Sequence, residues 1–311
     1  MTSWSSPSAA RSGAARITGS AIAIRISKSS GAMTFEARHT VRTPTGRMAW
    51  RQWGTRGPLI VLLHGVGLNA DIWEPQADAL SGTHRVFAVD LPGHGASDPL
   101  QKGAGLEDFA GRILAAMDGF ADGPVLLVGH SMGALVTIAA ALAAPERIRG
   151  IAALNAVYCR TPSARAAAEA RAALLEQAGV MASIEPTIER WFGPGDAARR
   201  DSHASTLRAM LADVDPVGYA RAYRIFATQD RAFEGRMKDL AMPALFLTGA
   251  DDPNSTPDMS RAMADAAPRG EALIVPGARH MAGFVTPGPV NAALHDFSAR
   301  VLAQSGAGET T

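Results

Sequence analysis

The sequence has little of several things, and each shortage excludes something. It holds one cysteine, Cys159. No intramolecular disulfide can form, and no cysteine-ligated zinc site. Charge of one sign is also missing: 30 Lys and Arg against 29 Asp and Glu give a net charge of +1. Nothing in that balance favours nucleic acid or an anionic membrane as partner. Aromatic residues are only 6% of the chain, yet 47% of its 311 residues are hydrophobic. A sizeable core can therefore be built, and it must be largely aliphatic. Residues 1–32 lack Asp and Glu and are rich in Ser, Ala, Gly and Arg. Their longest apolar run, "AIAI" at 21–24, is too short for a secretory h-region. We expect a disordered tail or a start codon assigned too early, with the fold beginning at Met33, and a cytoplasmic protein.

What remains is orderly. Residues 35–43 and 46–54 read as antiparallel strands joined by "PTG". Continuous apolar runs at 58–65, 85–95, 124–131, 148–156, 243–250 and 271–278 read as strands covered on both faces. Helical spacing falls at 70–80, 106–120 and 290–303 between them. Such alternation predicts an α/β fold with a mostly parallel sheet. Residues 157–240 interrupt it with helices only: 161–179, ended by Gly179, then 202–214 and 215–230. The expected organisation is a tail (1–32), a core in two parts (33–156 and 241–304) with a helical insertion between them (157–240), and a short tail (305–311).

The stretch "VLLVGHSMGALVTIAAALAA" (125–144) has no charged residue and at first resembles a membrane span. Gly129-His130-Ser131-Met132-Gly133 divides it. A strand precedes the break and an alanine-rich helix follows, and neither is long enough to cross a bilayer. Gly-x-Ser-x-Gly between a strand and a helix marks a sharp turn that presents the serine hydroxyl above the sheet. A serine needs a base to become a nucleophile. Two acids, Asp251 and Asp252, follow the strand at 243–250, and His280 follows the next. Both loops lie at the carboxyl ends of parallel strands, where such sheets carry their sites.

"HGVG" (64–67), "VDLPGHGASD" (89–98), "GHSMG" (129–133), "GADDPNSTP" (249–257) and "GARHM" (277–281) together resemble the α/β-hydrolase superfamily from about Met33 to Gln304. The resemblance implies an eight-stranded, mostly parallel sheet flanked by helices, with a helical cap after the sixth strand. It implies a catalytic triad of Ser131, Asp252 and His280, with Asp252 preferred over Asp251 because it stands three positions after Gly249. The amides of Val66 and Met132 would form the oxyanion hole. No metal or organic cofactor is called for. His64, His94 and Asp90 read as structural, His130 as a neighbour of the nucleophile, and Cys159 as a small buried residue.

Substrate readings are wider. Trp73 and Trp191 are candidate pocket residues. Arg160 is the leading carboxylate ligand, with Arg190, Arg221 and Arg224 as further choices. The phrases "IERWFGPG" (188–195) and "ADVDPVGYARAYRIFATQD" (212–230) are similar to the 3-oxoadipate enol-lactonase branch. "HGVGLNADIW" (64–73) is similar to pimeloyl-carrier-protein methyl esterases. The expected function is hydrolysis of a small carboxylic ester or lactone. Amide or C–C hydrolysis, perhydrolase or haloperoxidase chemistry, and a non-enzymatic ligand receptor are the alternatives. The partner is a small molecule, not nucleic acid or membrane, and a homo-oligomer is allowed.

Overall fold

A computed structural model describes residues 38–193 and 197–306. The expected tail at 1–32 and all but two residues of the one at 305–311 lie outside them. Eight strands form one sheet: β1 (His39–Thr43), β2 (Gly46–Trp53), β3 (Leu59–Leu63), β4 (Arg85–Val89), β5 (Val125–His130), β6 (Ile148–Leu154), β7 (Ala244–Gly249) and β8 (Gly270–Val275). Their spatial order is β1-β2-β4-β3-β5-β6-β7-β8. β1 and β2 pair antiparallel, β2 meets β4 antiparallel, and every later pairing is parallel. This is the α/β-hydrolase fold.

Burial explains the sequence runs. β3, β5 and β7 are buried along their whole length, because helices cover both faces of the sheet. α2 (Leu106–Met117) packs on α3 (Met132–Ala143), which lies over β3, β5 and β6. α1 (Glu74–Leu80) packs on α9 (Pro287–Gly306) and β4. Only the edges relax: β1 alternates half-buried and exposed residues, and β8 is largely open until Val275.

After β6 comes a helical cap: α4 (Pro162–Phe192), α5 (Ala197–Ala212) and α6 (Pro216–Thr228). The sequence suggests a helix that ends at Gly179. The first helix of α4 does end there, at φ 76° and ψ 176°, and a second follows at once through Phe192. Glycine adopts that conformation without a Cβ clash, so it can kink a helix as readily as cap one. α7 (Pro257–Ala266) packs on β7 and β8, and the short α8 (Ala282–Val285) leads into α9.

The loops after β3 and β4 are tied by one carboxylate. Asp90 is fully buried and accepts N–H bonds from Ala70 (2.8 Å), Ala96 (3.0 Å) and Arg38 Nε (2.7 Å). Burial pushes its pKa up although Arg38 and both amides oppose this. We expect Asp90→Ala to lower stability by about 3 kcal/mol, because three donors lose their acceptor. A urea unfolding curve checks this; an unchanged midpoint would show that the carboxylate does not hold these loops.

Candidate active site

Ser131 ends the central strand β5 and opens α3. Its φ of 55° and ψ of −114° lie in a region that costs a non-glycine residue on the order of 1–3 kcal/mol. The surroundings impose it. Ser131 N–H donates to Leu154 O on the neighbouring strand at 2.8 Å. A Cβ on Gly129 would lie 2.1 Å from Gly133 O, and one on Gly133 would lie 2.1 Å from Leu63 O. Only glycine on both sides of the turn lets strand, turn and helix approach so closely.

Two loops reach Ser131 from later strands. His280 follows β8, and its Nε2 stands 3.1 Å from Ser131 Oγ. Its Nδ1 stands 2.8 Å from Asp252 Oδ2. The network assigns the tautomer: Nδ1–H donates to the carboxylate, and Nε2 accepts from the hydroxyl. Asp252 is buried in the loop after β7. Its Oδ1 accepts N–H bonds from Asn254 (2.8 Å) and Ser255 (3.2 Å), and its Oδ2 accepts from Asn155 Nδ2 (2.8 Å). Burial works against the charge, but His280, Asn155 and the Asn254 amide outweigh it and hold the carboxyl at about 2. Asp251 is exposed. Asn155, at the end of β6 with φ 51°, was not singled out from sequence. "LNA" at a strand end is its only signal.

Val66 and Met132 are buried beside this serine. Neither main-chain N–H has an acceptor among the described residues. The Val66 loop is shaped by two histidines. His64 Nδ1–H donates to Gly65 O (2.7 Å) and its Nε2 accepts from Leu91 N–H (2.9 Å). His94 Nε2 accepts from Gly67 N–H at 3.0 Å. Burial lowers the pKa of both, His94 to about 4. Both are therefore neutral, as the acceptor roles require.

The candidate substrate residues divide. Trp191 stacks on His280 with ring centroids 6.1 Å apart. Trp73 is buried, and its indole N–H has no acceptor among the described residues. Arg160 corrects the sequence reading. Its Nη1 donates to the carbonyls of Phe226 (3.0 Å) and Ala227 (3.3 Å) and lies 3.7 Å from buried Asp230. It ties the base of the cap together rather than offering a free fork, and burial draws its pKa down to about 10. Arg224 is engaged with Glu176 through two 2.7 Å bonds, and Arg221 with Leu100 O. Like Arg221, Arg190 has no acidic partner among the described residues: it reaches only Pro186 O and Thr187 Oγ1. With Arg171, which donates to Tyr223 Oη at 3.2 Å, it lines an open crevice in the cap. Tyr219, Tyr223, Ser183 and Thr187 add hydroxyls to the wall. Ser131 does not line this crevice. Tyr219 links the two, since a Cβ on Gly67 of the Val66 loop would lie 2.7 Å from its ring. Among the described residues, no cluster of His, Cys, Asp or Glu could hold a metal, and no helix is long and apolar enough to cross a membrane.

The model of the alpha/beta hydrolase family matches residues 60–293. The chain is 39% identical over 238 residues to the (E)-2-((N-methylformamido)methylene)succinate hydrolase of Acinetobacter baylyi, spanning 76% of this chain and 89% of that protein. It is 31% identical over 256 residues to the pimeloyl-acyl-carrier-protein methyl ester esterase of Edwardsiella ictaluri, spanning 80% and 96%. The crystal structure of the enol-lactonase from Burkholderia xenovorans LB400 superposes with a TM-score of 0.75 at 26% identity, covering 84% of this chain and 99% of that one.

The buried histidines make stability depend on pH. Their folded pKa values lie below the unfolded value of about 6.5, with His94 near 4 and His130 near 3. The unfolded chain binds more protons below that value. The contribution is thus complete above about pH 6.5 and declines as pH falls toward 4. Asp252 adds a loss of the same sign from about pH 4 down toward 2. The urea midpoint should drop steadily between pH 7 and 4.5, and less steeply in His94→Gln. A flat midpoint over that range would contradict neutral burial.

Proposed function

The chain belongs to the alpha/beta hydrolase family, and on that premise we propose that it is a serine hydrolase of small carboxylated substrates. The observation that carries the reading is the run of contacts Ser131–His280–Asp252 at 3.1 and 2.8 Å. His280 Nε2 takes the Ser131 proton as Oγ attacks the substrate carbonyl carbon. Asp252 keeps the imidazole in the required tautomer and stabilises the imidazolium. The carbonyl π electrons move onto oxygen, and the free amides of Val66 and Met132 receive that charge. Collapse expels the alcohol, enol or amine, which takes the proton back from His280. Water then attacks the acyl-enzyme with His280 again as base, and the acid is released.

The bond is that of an ester or lactone, with an amide as the second reading. That second reading is favoured by the 39% identity to a hydrolase whose name places a formamido group on a methylenesuccinate. A carboxylated substrate is supported by Arg171 and Arg190, which face the cap crevice and have no acidic partner among the described residues. Ser131 is 3% exposed, so substrate reaches it by displacing part of the cap.

Two measurements test this. A fluorophosphonate probe should label the wild type and leave Ser131→Ala and His280→Ala unlabelled. Ester turnover should fall about 10⁴-fold or more in both. A folded wild type that takes no probe and turns over no ester would overturn the serine-hydrolase reading. Arg190→Ala and Arg171→Ala should raise KM for carboxylated esters about 10–100-fold, the loss of one hydrogen bond to a charged group. Their KM for p-nitrophenyl acetate should barely move. Equal effects on acidic and neutral esters would remove the crevice from substrate binding.

A further inference from the structure

His130 directly precedes Ser131, and its side chain is not spent on the core. Its ring is buried between two parts of the site. On one side its Nε2 lies 2.8 Å from the main-chain carbonyl of His280, to which it donates. On the other, a Cβ on Gly65 would meet His130 Nδ1 at 2.9 Å and Ser131 Cβ at 3.2 Å. The Gly65 main chain, one residue before Val66, therefore rests against His130 and the nucleophile together. The imidazoles of His130 and His280 are also in contact, with centroids 5.0 Å apart and planes inclined by 55°.

The two ends of this contact differ in rigidity. His130 is the last residue of β5, paired with Leu154 in the middle of the sheet. His280 lies in a loop beyond the edge strand β8. No other donor reaches its carbonyl among the described residues. The Asp252 bond sets the angle of the ring, but it does not fix the main chain that carries it. A carbonyl accepts, so His130 must carry its proton on Nε2, and the buried neutral ring supplies that tautomer.

We propose that His130 is a positioning residue, which fixes the His280 main chain and the Gly65–Val66 loop to the central strand and so sets the distance from His280 Nε2 to Ser131 Oγ. The proposal rests on the reading of Ser131 and His280 as the reacting pair. A displacement of about 1 Å in such a pair can cost up to about 10²-fold in rate.

The test uses three variants of the full chain. His130→Ala removes ring and donor, His130→Phe keeps a ring without a donor, and His130→Gln keeps an N–H at the reach of Nε2. The fluorophosphonate labelling rate and kcat should fall about 10–100-fold in the Ala and Phe variants. KM should stay within about twofold, since His130 does not touch the cap crevice, and Gln should restore most of the rate. Thermal melts confirm the fold; should His130→Phe not fold, His130→Asn replaces it, with a donor too short to reach the carbonyl. Wild-type rates in His130→Phe would overturn the proposal. So would equal losses in all three variants, which would make the role one of packing alone. A wild type that does not label would instead sink the reading of Ser131, so the two failures are distinguishable.

Discussion

Everything at this site depends on how closely three backbone segments approach at the end of β5. The turn at Ser131 brings the strand, the start of α3 and the end of β3 within a distance that no Cβ tolerates at Gly129 or Gly133. Serine at φ 55° is strained there, and the sheet bond to Leu154 O helps to hold it. One constraint yields three chemical results. The hydroxyl stands above the sheet, the Met132 N–H is left without an acceptor, and the β3 loop is drawn against the nucleophile. The strain is local, and the buried strands β3, β5 and β6 lie beneath it.

Around that turn the buried acids and histidines are held by hydrogen bonds. Asp90 accepts from two loops, and Asp252 accepts from His280, Asn155 and two amides. His64, His94 and His130 remain neutral, and each uses its ring nitrogens to fix main chain. Burial is what makes these roles compatible. It disfavours the imidazolium, which would lose the acceptor that the Leu91 and Gly67 amides need. The same low polarity strengthens the Asp252–His280 contact. The candidate site is therefore built in two tiers: the contact of Ser131 with His280, and neutral rings bonded to the main chain of the loops around it.

The cap follows a different logic. Its arginines are numerous, and most are spent within the cap. Arg160 holds the cap base through Asp230 and the last carbonyls of α6, while Arg208 and Arg224 are bonded to Glu185 and Glu176. Arg171, Arg190 and Arg221 have only neutral partners, and of these Arg171 and Arg190 line the cap crevice. A guanidinium with neutral neighbours at a crevice wall is electrostatically free to accept an anion, whereas one already paired with a carboxylate is not. Trp191, one residue further on, stacks on His280. The same helical turn thus carries a cation to the crevice wall and an aromatic plane to His280.

The sequence by itself determined the α/β architecture, because buried parallel strands write continuous apolar runs and the break at 129–133 has a single geometric reading. The resemblance to the α/β-hydrolases implied the order serine, acid, histidine and the choice of Asp252, three positions after Gly249, over Asp251. The strands and the break are legible because each is written in residues adjacent in the chain. The tertiary structure decided what depends on distant partners. It showed a second helix starting directly after Gly179, where the first one ends. It gave Arg160 to Asp230, 70 residues away, and left Arg171 and Arg190 without acids. It set Asn155 on Asp252 and His130 on His280, contacts across 97 and 150 residues. Whether a charge is free or spent is a property of what folds against it, and that is settled only when strands far apart in the chain bring their ends together.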